Sequence, residues 1–391
     1  MFHRLSFNRT SAVAVALACV TAVTAAVACP FCDAPEPSMA EQLSQADAAV
    51  LVQWKSAEPA NTEKQTFGST TFEVVNIVRQ PGGDYEKGST ITLDRYRPGK
   101  PGELFLLMGT KIDGIEWGSP LEVTETSFKY ITESPGREVP AGKRLPFFLK
   151  YLEHPDELIS KDAFSEFAAA PYSDIEPLAD QFSSAKLKEW ISKKETNQTR
   201  IGFYGMMLGL SGAKEDAEFL KAEINRPTET YRLGLDGMMA GYVLLLGDNG
   251  IAMLEEKLAQ NTKQFSDTYA AMQTLRFMWQ YAQNRVSKDR LRLAMRMLIE
   301  RPEFADLAIK DLARWEDWDV MPKLMEVYDS PSHGSSQTKR AVALFLITLS
   351  KKKVPEADEA LAKHVAAAKA NLEDLKTRDP KIVKDAEKYF F

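Results

Sequence analysis

The sequence predicts a multidomain α+β protein in which a small antiparallel β-barrel is followed by an all-α array of helical repeats. Three observations support this fold class. Short apolar runs separated by turn residues occupy residues 48–131, the hydrophobic period lengthens to about 3.6 residues beyond residue 146, and one helical segment occurs twice. Hydrophobic residues make up 44% of the 391 residues and charged residues 27%, which is typical of globular rather than disordered chains.

Residues 1–28 have the pattern of a cleavable signal peptide. Arg4 and Arg9 precede an uncharged stretch rich in Ala and Val, which ends in the small-x-small sequence Ala26-Val27-Ala28. The alternative is a retained anchor, but the apolar run is short and contains Ala and Thr rather than Leu and Ile. We therefore predict an exported protein, periplasmic or extracellular, whose mature chain has no transmembrane span.

Cleavage after Ala28 would leave Cys29 and Cys32 as the cysteines of the mature chain. They stand in the sequence Cys29-Pro30-Phe31-Cys32, and in an oxidising compartment a disulfide between them is the expected state. Two alternatives stay open. Cys29 at the mature N-terminus is the position where a bacterial lipoprotein carries its lipid anchor, and the two thiols are weak candidates for a metal or redox site. Two thiolates alone do not complete a zinc site, so we predict no metal and no cofactor.

Five or six strands are predicted in a β-rich domain, which we place at residues 29–133. The candidates are Ala48–Trp54, Thr70–Val78, Ser89–Leu93, Glu103–Met108 and, more weakly, Leu121–Val123 and Phe128–Ile131. Turn residues such as Gly82-Gly83-Asp84 and Pro98-Gly99 separate them. Because closing a sheet removes its exposed edges, so many short strands favour a barrel.

Residues 134–146 are rich in Pro and Gly and are predicted to be a linker, followed by a helical domain at 147–391. Within that domain Arg200–Leu210 aligns with Arg232–Tyr242 at an offset of 32 residues, with Arg, three Gly and two Met in common. Each copy precedes a polar turn and a second apolar-periodic helix, as in stacked helical hairpins. We expect the glycines to let helices approach closely and the methionines to fill the core.

The helical part resembles HEAT-type repeats of the ARM-type fold, with Trp318–Leu324 similar to the start of a second repeat helix. This resemblance covers most of residues 145–350. It implies a stack of helical hairpins that offers an extended surface to a protein or peptide partner.

The first domain resembles the netrin-like or TIMP-like (tissue inhibitor of metalloproteinases) OB barrel. A cysteine stands at the predicted mature start, Ala46–Leu51 is similar to the first strand, and Gly102–Gly109 is similar to a later core strand. The resemblance implies that Cys29 occupies the position whose amine and carbonyl chelate the zinc of a target protease. The family has Cys-x-Cys bonded to distant cysteines, whereas this chain has Cys-x-x-Cys without a distal partner.

The charge distribution argues against a nucleic-acid partner. Residues 29–140 contain ten basic and seventeen acidic residues, whereas an OB barrel that binds a phosphate backbone needs clustered Lys and Arg. No Ser-His-Asp or paired-carboxylate motif stands out, so no catalytic residue is predicted. His154, His333 and His364 are expected at the surface, and the acidic run Glu316–Asp319 is expected to cap a helix rather than to bind calcium.

These observations predict a non-catalytic binding or scaffolding protein. Its repeat surface and barrel would engage a protein or peptide partner. The alternative is a regulator or inhibitor of an extracellular metalloprotease or other hydrolase, acting through the mature N-terminus at Cys29.

Overall fold

The computed structural model describes residues 29–32, 36–60, 67–79, 85–227, 232–259 and 265–388; the predicted signal peptide, residues 1–28, lies outside them. A barrel-like antiparallel sheet is followed by a long helical region, which confirms the predicted fold class. The strands are β1 (Ala48–Glu58), β2 (Ser69–Arg79), β3 (Thr90–Leu93), β4 (Leu104–Lys111), β5 (Ile115–Trp117) and β6 (Leu121–Val123).

The helices begin before the sheet with α1 and resume after it with α2. They are α1 (Met39–Gln45), α2 (Glu125–Glu133), α3 (Ala141–Phe148), α4 (Glu157–Ala168), α5 (Tyr172–Ile175), α6 (Ser184–Ser192), α7 (Ile201–Ser211), α8 (Asp216–Ile224), α9 (Leu235–Leu246), α10 (Asp248–Ala259), α11 (Phe265–Tyr281), α12 (Lys288–Arg296), α13 (Ala305–Arg314), α14 (Met321–Asp329), α15 (Ser336–Ser350), α16 (Glu359–Arg378) and α17 (Pro380–Glu387). None of these described helices is long and apolar enough to cross a membrane.

The sheet curls around its own apolar interior. Its strand order is β3-β2-β1-β4-β5, with β6 also paired to β4, and every pair is antiparallel. Successive side chains of a strand point to opposite faces, so Val50 and Val52 of β1 face inward with Phe72 and Phe105, whose rings lie 5.4 Å apart. Leu51, between the two valines, packs instead with the core of the helical region.

The barrel and the helices share one continuous apolar core. Leu106 and Val123 on the outer face of the sheet belong to the same buried cluster as Tyr130 of α2 and Leu145 of α3. The helical region thus covers one face of the barrel.

Several segments differ from the sequence-based expectation. The short strand β5 (Ile115–Trp117) was not predicted. The predicted strand Phe128–Ile131 is wrong, since these residues belong to α2. Thr124 caps this helix, because its hydroxyl accepts from the backbone N–H of Ser127 at 3.0 Å while the Ser127 hydroxyl accepts from the N–H of Thr124 at 2.8 Å. The predicted linker 134–146 also ends early, because α3 starts at Ala141 and its residue Leu145 is fully buried.

The helical region is built from side-by-side hairpins. Helix α9 packs between α7 and α11, and α13 packs beside α15, while α8, α10, α12, α14 and α16 each pack against one or two of these helices. The repeated glycines make the α7–α9 contact possible: a Cβ atom on Gly237 would lie 2.1 Å from the carbonyl oxygen of Gly202, and one on Gly209 would lie 2.3 Å from the Cα of Gly241. The paired methionines of both copies are buried, as expected.

Candidate functional site

The N-terminal Cys29-Pro30-Phe31-Cys32 loop packs on the helical region. Cys29 and Cys32 are joined by a disulfide. The backbone nitrogen of Cys29 donates to the carbonyl of Ala168, the last residue of α4, at 3.1 Å, and Cys29 is only 5% exposed. The Phe31 ring lies 4.7 Å from the ring of Phe277 on α11. Residues 29–32 were expected with the barrel, but their contacts are with the helices.

Local chemistry explains why the loop fits here. Gly202 at the start of α7 has no side chain, and a Cβ atom there would lie 3.2 Å from the carbonyl oxygen of Phe31. The missing side chain therefore lets the loop backbone sit directly on the helix. The disulfide restricts the loop before it docks, which lowers the conformational entropy lost when Phe31 is buried.

A cleft of about 640 Å³ opens beside the loop, between α11 and the end of α13. Apolar rings form part of its wall and polar side chains form the rest. Its lining consists of Pro30, Phe31, Gln273, Arg276, Phe277, Trp279, Gln280, Tyr281, Gln283, Asp311, Arg314 and Trp315. We call this space the loop cleft.

Two arginines and one buried carboxylate set the electrostatics of the loop cleft. Asp311, which is 2% exposed, accepts from Arg276 Nε at 2.7 Å and from Arg314 Nη1 at 3.3 Å. Arg276 Nη1 also donates to the side-chain oxygen of Gln273 at 2.6 Å. Two positive charges against one negative charge leave the lining with one net positive charge. Within the described part of the chain, Arg276 Nη2 and the Nε and Nη2 of Arg314 donate to no protein acceptor.

A stacked tryptophan pair stiffens one wall. The rings of Trp279 and Trp315 are nearly parallel, with 9° between their planes and 4.4 Å between their centroids. Arg292 and Lys288 place their charges 5.4 and 5.3 Å from the Trp279 centroid. Arg292 also donates to the carbonyl of Trp315 at 2.6 Å. These contacts fix the positions of both tryptophan rings in the wall of the loop cleft.

Tyr281 lines the loop cleft, and Tyr172 packs behind it. The ring of Tyr172 is 5.4 Å from that of Phe277 and 5.1 Å from that of Tyr281. Burial raises the pKa of Tyr172, and the negative charge of Glu176 raises it further, while burial alone raises the pKa of Tyr281. Both phenols are therefore neutral near pH 7 and cannot serve as bases there.

Of His154, His333 and His364, which were expected at the surface, His333 departs from that expectation. It is buried, and its Nε2 donates to the carbonyl of Ile299 at 3.0 Å. Its Nδ1 lies 3.0 Å from the hydroxyl of Ser332. The ring therefore fastens the α14–α15 connection to the turn after α12. His154 and His364 are partly exposed, as expected.

The acidic run Glu316–Asp319 has a structural role other than the one expected. Asp317 is buried, and Arg296 of α12 binds both of its carboxylate oxygens, with 2.7 Å from Nε to Oδ2. The Asp317 side chain makes no helix-capping hydrogen bond, so the prediction of a cap was wrong at this residue. Over the described residues, no group of three or more His, Cys, Asp or Glu side chains is placed to hold a metal ion.

Comparison with known proteins found no match, whether to protein-family models, to curated proteins or to solved structures. The architecture agrees with the TIMP-like and HEAT-type resemblances only in having a nearly closed barrel followed by many helices. Any functional inference therefore starts from the geometry of the loop cleft.

Sequence reasoning did not identify the loop-cleft residues. A signal exists in α11, where Gln273, Arg276 and Gln280 recur at intervals of three and four and so share one face of the helix. The spacing alone does not distinguish a binding face from an ordinary solvated face. This face of α11 lines a cleft because Phe31 and the end of α13 lie next to it in the folded protein.

Proposed function

We propose that the protein is an exported, non-catalytic binding protein that engages a protein or peptide partner in the loop cleft. The observation that carries the proposal is the combination, in one cleft of about 640 Å³, of apolar rings with guanidinium and amide groups. Binding sites on proteins typically join an apolar wall to a few fixed polar groups, which orient the ligand.

The contacts that hold the two arginines and the apolar rings support this role. Asp311 orients both arginines, and the disulfide loop and the tryptophan pair hold the two apolar walls. Side chains that are already held in place lose less conformational entropy when a partner binds. The loop cleft is thus arranged for binding before any partner arrives.

The alternative, inhibition of a metalloprotease through Cys29, receives less support from the contacts of that residue. Zinc chelation would require a free amine and carbonyl. The nitrogen of Cys29 donates to Ala168 at 3.1 Å, and its carbonyl accepts from the N–H of Cys32 at 3.3 Å. Both atoms that would chelate zinc are therefore used within the protein, so we retain the binding role.

The test is position-specific photo-crosslinking in cells that export the protein. A photo-reactive amino acid replaces Gln280, an exposed residue of the loop cleft, or Lys221, an exposed residue of α8 outside it. We expect a crosslinked adduct at position 280 that maps to one segment of one partner. The substitution Arg314→Glu should lower the yield of this adduct. No adduct at 280, or the same adducts at 280 and 221, would contradict the proposal.

A further inference from the structure

We infer that the loop cleft binds an extended peptide segment that carries an acidic side chain, with the carboxylate on Arg276 and Arg314 and the peptide backbone on glutamine amides of α11. This inference rests on the proposed function and specifies the chemistry of its ligand. It depends on the spacing of the polar groups, on their unused hydrogen-bonding atoms and on the charge of the lining.

The spacing fits an extended chain. Gln273 and Gln280 are seven residues apart on α11, with Arg276 between them on the same face. At about 1.5 Å per helical residue, the two amides are separated by about 10 Å along the helix axis. Three residues of extended peptide cover about the same length, at about 3.3 Å each. One carboxylate side chain in such a segment could reach Arg276 while its flanking peptide groups meet the two amides.

The side-chain amides of Gln273 and Gln280 have hydrogen-bonding atoms that can pair with a peptide backbone. A primary amide both donates and accepts, so it can pair with the N–H and the C=O of one extended residue. In the described chain the Gln280 amide makes no hydrogen bond, and Gln273 uses only its oxygen, which accepts from Arg276. Gln280 is exposed and Gln273 is partly exposed, so both can reach a ligand.

The charge of the lining selects an acidic ligand. The whole chain carries a formal charge of −6, yet the loop cleft carries one net positive charge. Asp311 lies buried beneath Arg276 and Arg314, and its carboxylate already accepts hydrogen bonds from both of them. The side chain of Arg314 is 73% exposed and keeps two of its three nitrogens free. Guanidinium groups pair strongly with carboxylates, whereas a basic ligand would be repelled here.

The aromatic groups favour a peptide over a sugar or a nucleic acid. Trp279 and Trp315 stack on each other, and Trp315 is buried. Phe31 and Phe277 are likewise buried against each other. A sugar ring or a base would need an open aromatic face to stack on. Trp279 and Tyr281, the other aromatic residues of the lining, are only partly exposed and suit small aliphatic side chains of a peptide instead.

The experiment uses the mature full-length chain and a library of capped hexapeptides. In each pool one position is fixed as Glu, Gln or Lys and the other positions are randomised. Binding is measured by competition with a fluorescent Glu-containing pool. An acidic disaccharide and a single-stranded oligonucleotide serve as probes of the competing ligand classes.

We expect Glu to be preferred over Gln at one or two adjacent positions by about tenfold, since each hydrogen bond would join two charged groups. Arg314→Glu should abolish this preference. The matched control is Arg226→Glu, because Arg226 is also an exposed arginine paired with the acid three residues before it, Glu223, but lies outside the loop cleft. That control should bind like the wild type.

The inference would be overturned if the Glu and Gln pools bound equally well. It would also be overturned if Arg226→Glu lost as much binding as Arg314→Glu, or if the disaccharide or the oligonucleotide bound more tightly than the peptides. The crosslinking test separates this failure from failure of the proposed function. An adduct at position 280 to a partner segment without acidic residues would leave the binding role intact and remove only the acidic-peptide inference.

Discussion

Phe31 and Phe277 pack ring against ring, with 4.7 Å between their centroids, although they come from opposite halves of the chain. This contact places the N-terminal disulfide loop within the helical core. Phe277 also contacts Tyr172, at 5.4 Å between centroids, so the loop, α5 and α11 meet at one point. The loop and α11 thereby form one continuous side of the loop cleft, and the end of α13 lines it as well.

The helix contact through the repeated glycines gives a first prediction. Gly237→Ala should lower the free energy of unfolding by about 1–3 kcal/mol, because the added methyl group would meet the backbone of Gly202 and force α7 and α9 apart. The control is Gly142→Ala in α3, where the new methyl group meets nothing within 4 Å. It should raise stability by about 0.5–1 kcal/mol. Urea denaturation measures both; equal effects of the two substitutions would refute the contact.

A second prediction concerns the buried carboxylate of Asp162. It accepts from the N–H of Met39 at 2.6 Å and from the hydroxyl of Tyr130 at 2.7 Å. Burial is the main cause that raises its pKa above the ordinary value. The folded state therefore holds this proton more tightly than the unfolded state. The stability that Asp162 contributes is complete below pH about 3.9 and is lost as the pH rises through its folded pKa.

Asp162→Asn removes this titration. The unfolding free energy of the variant minus that of the wild type should become more positive between pH 4 and pH 7. Denaturation curves at several pH values within that window check the expectation. A difference that stays constant with pH, or that falls as the pH rises, would show that Asp162 does not titrate as its burial implies.

The ion pair between Arg296 and Asp317 supports a third prediction. Asp317→Asn should lower stability by about 1.5–3 kcal/mol, because the hydrogen bonds it loses are to a charged group at a buried site. Asp319→Asn, at a side chain that is 78% exposed, should change stability little. Millimolar calcium should leave the Tm of the wild type unchanged. A rise of Tm with calcium that Asp317→Asn abolishes would favour the calcium site instead.

The state of the N-terminus yields a fourth prediction. The intact mass of the exported protein should begin at Cys29 and should gain two alkyl groups only after reduction, because the disulfide uses both thiols. A lipid thioether at Cys29 would need the same sulfur atom, so a mass increased by acyl chains would exclude the disulfide in the exported form. A mass that still contains residues 1–28 would exclude removal of the signal.

Local patterns were sufficient to predict most of the strands. The runs around Val50, Val74, Ile91 and Leu106 became β1 to β4 because β-branched residues and turn boundaries act within a few positions. The failure at Phe128–Ile131 has the same local origin. Its aromatic and β-branched residues favour a strand, but the cap at Thr124 and the burial of its apolar residues against α4 and α3 favour a helix.

The site depends on contacts that no local pattern encodes. The spacing of Cys29 and Cys32 indicates a bond between them but not the surface on which the loop lies. His333 lies in a polar segment of the sequence, which predicts exposure. Its burial depends on the hydrogen bond to the carbonyl of Ile299, which is distant in the sequence. The arginines of the loop cleft are recognisable as a pair only when Asp311 brings α11 and α13 together.

The most direct test of this account is a double-mutant cycle between Phe31 and Phe277. Unfolding free energies are measured for the wild type, Phe31→Ala, Phe277→Ala and the double variant. If the loop is docked as described, the stability lost in the double variant should differ from the sum of the two single losses by about 0.5–1.5 kcal/mol. This is the energy that an aromatic pair contributes in addition to its buried area. Losses that add to within about 0.3 kcal/mol would mean that the rings do not touch, and the loop cleft would lose its wall.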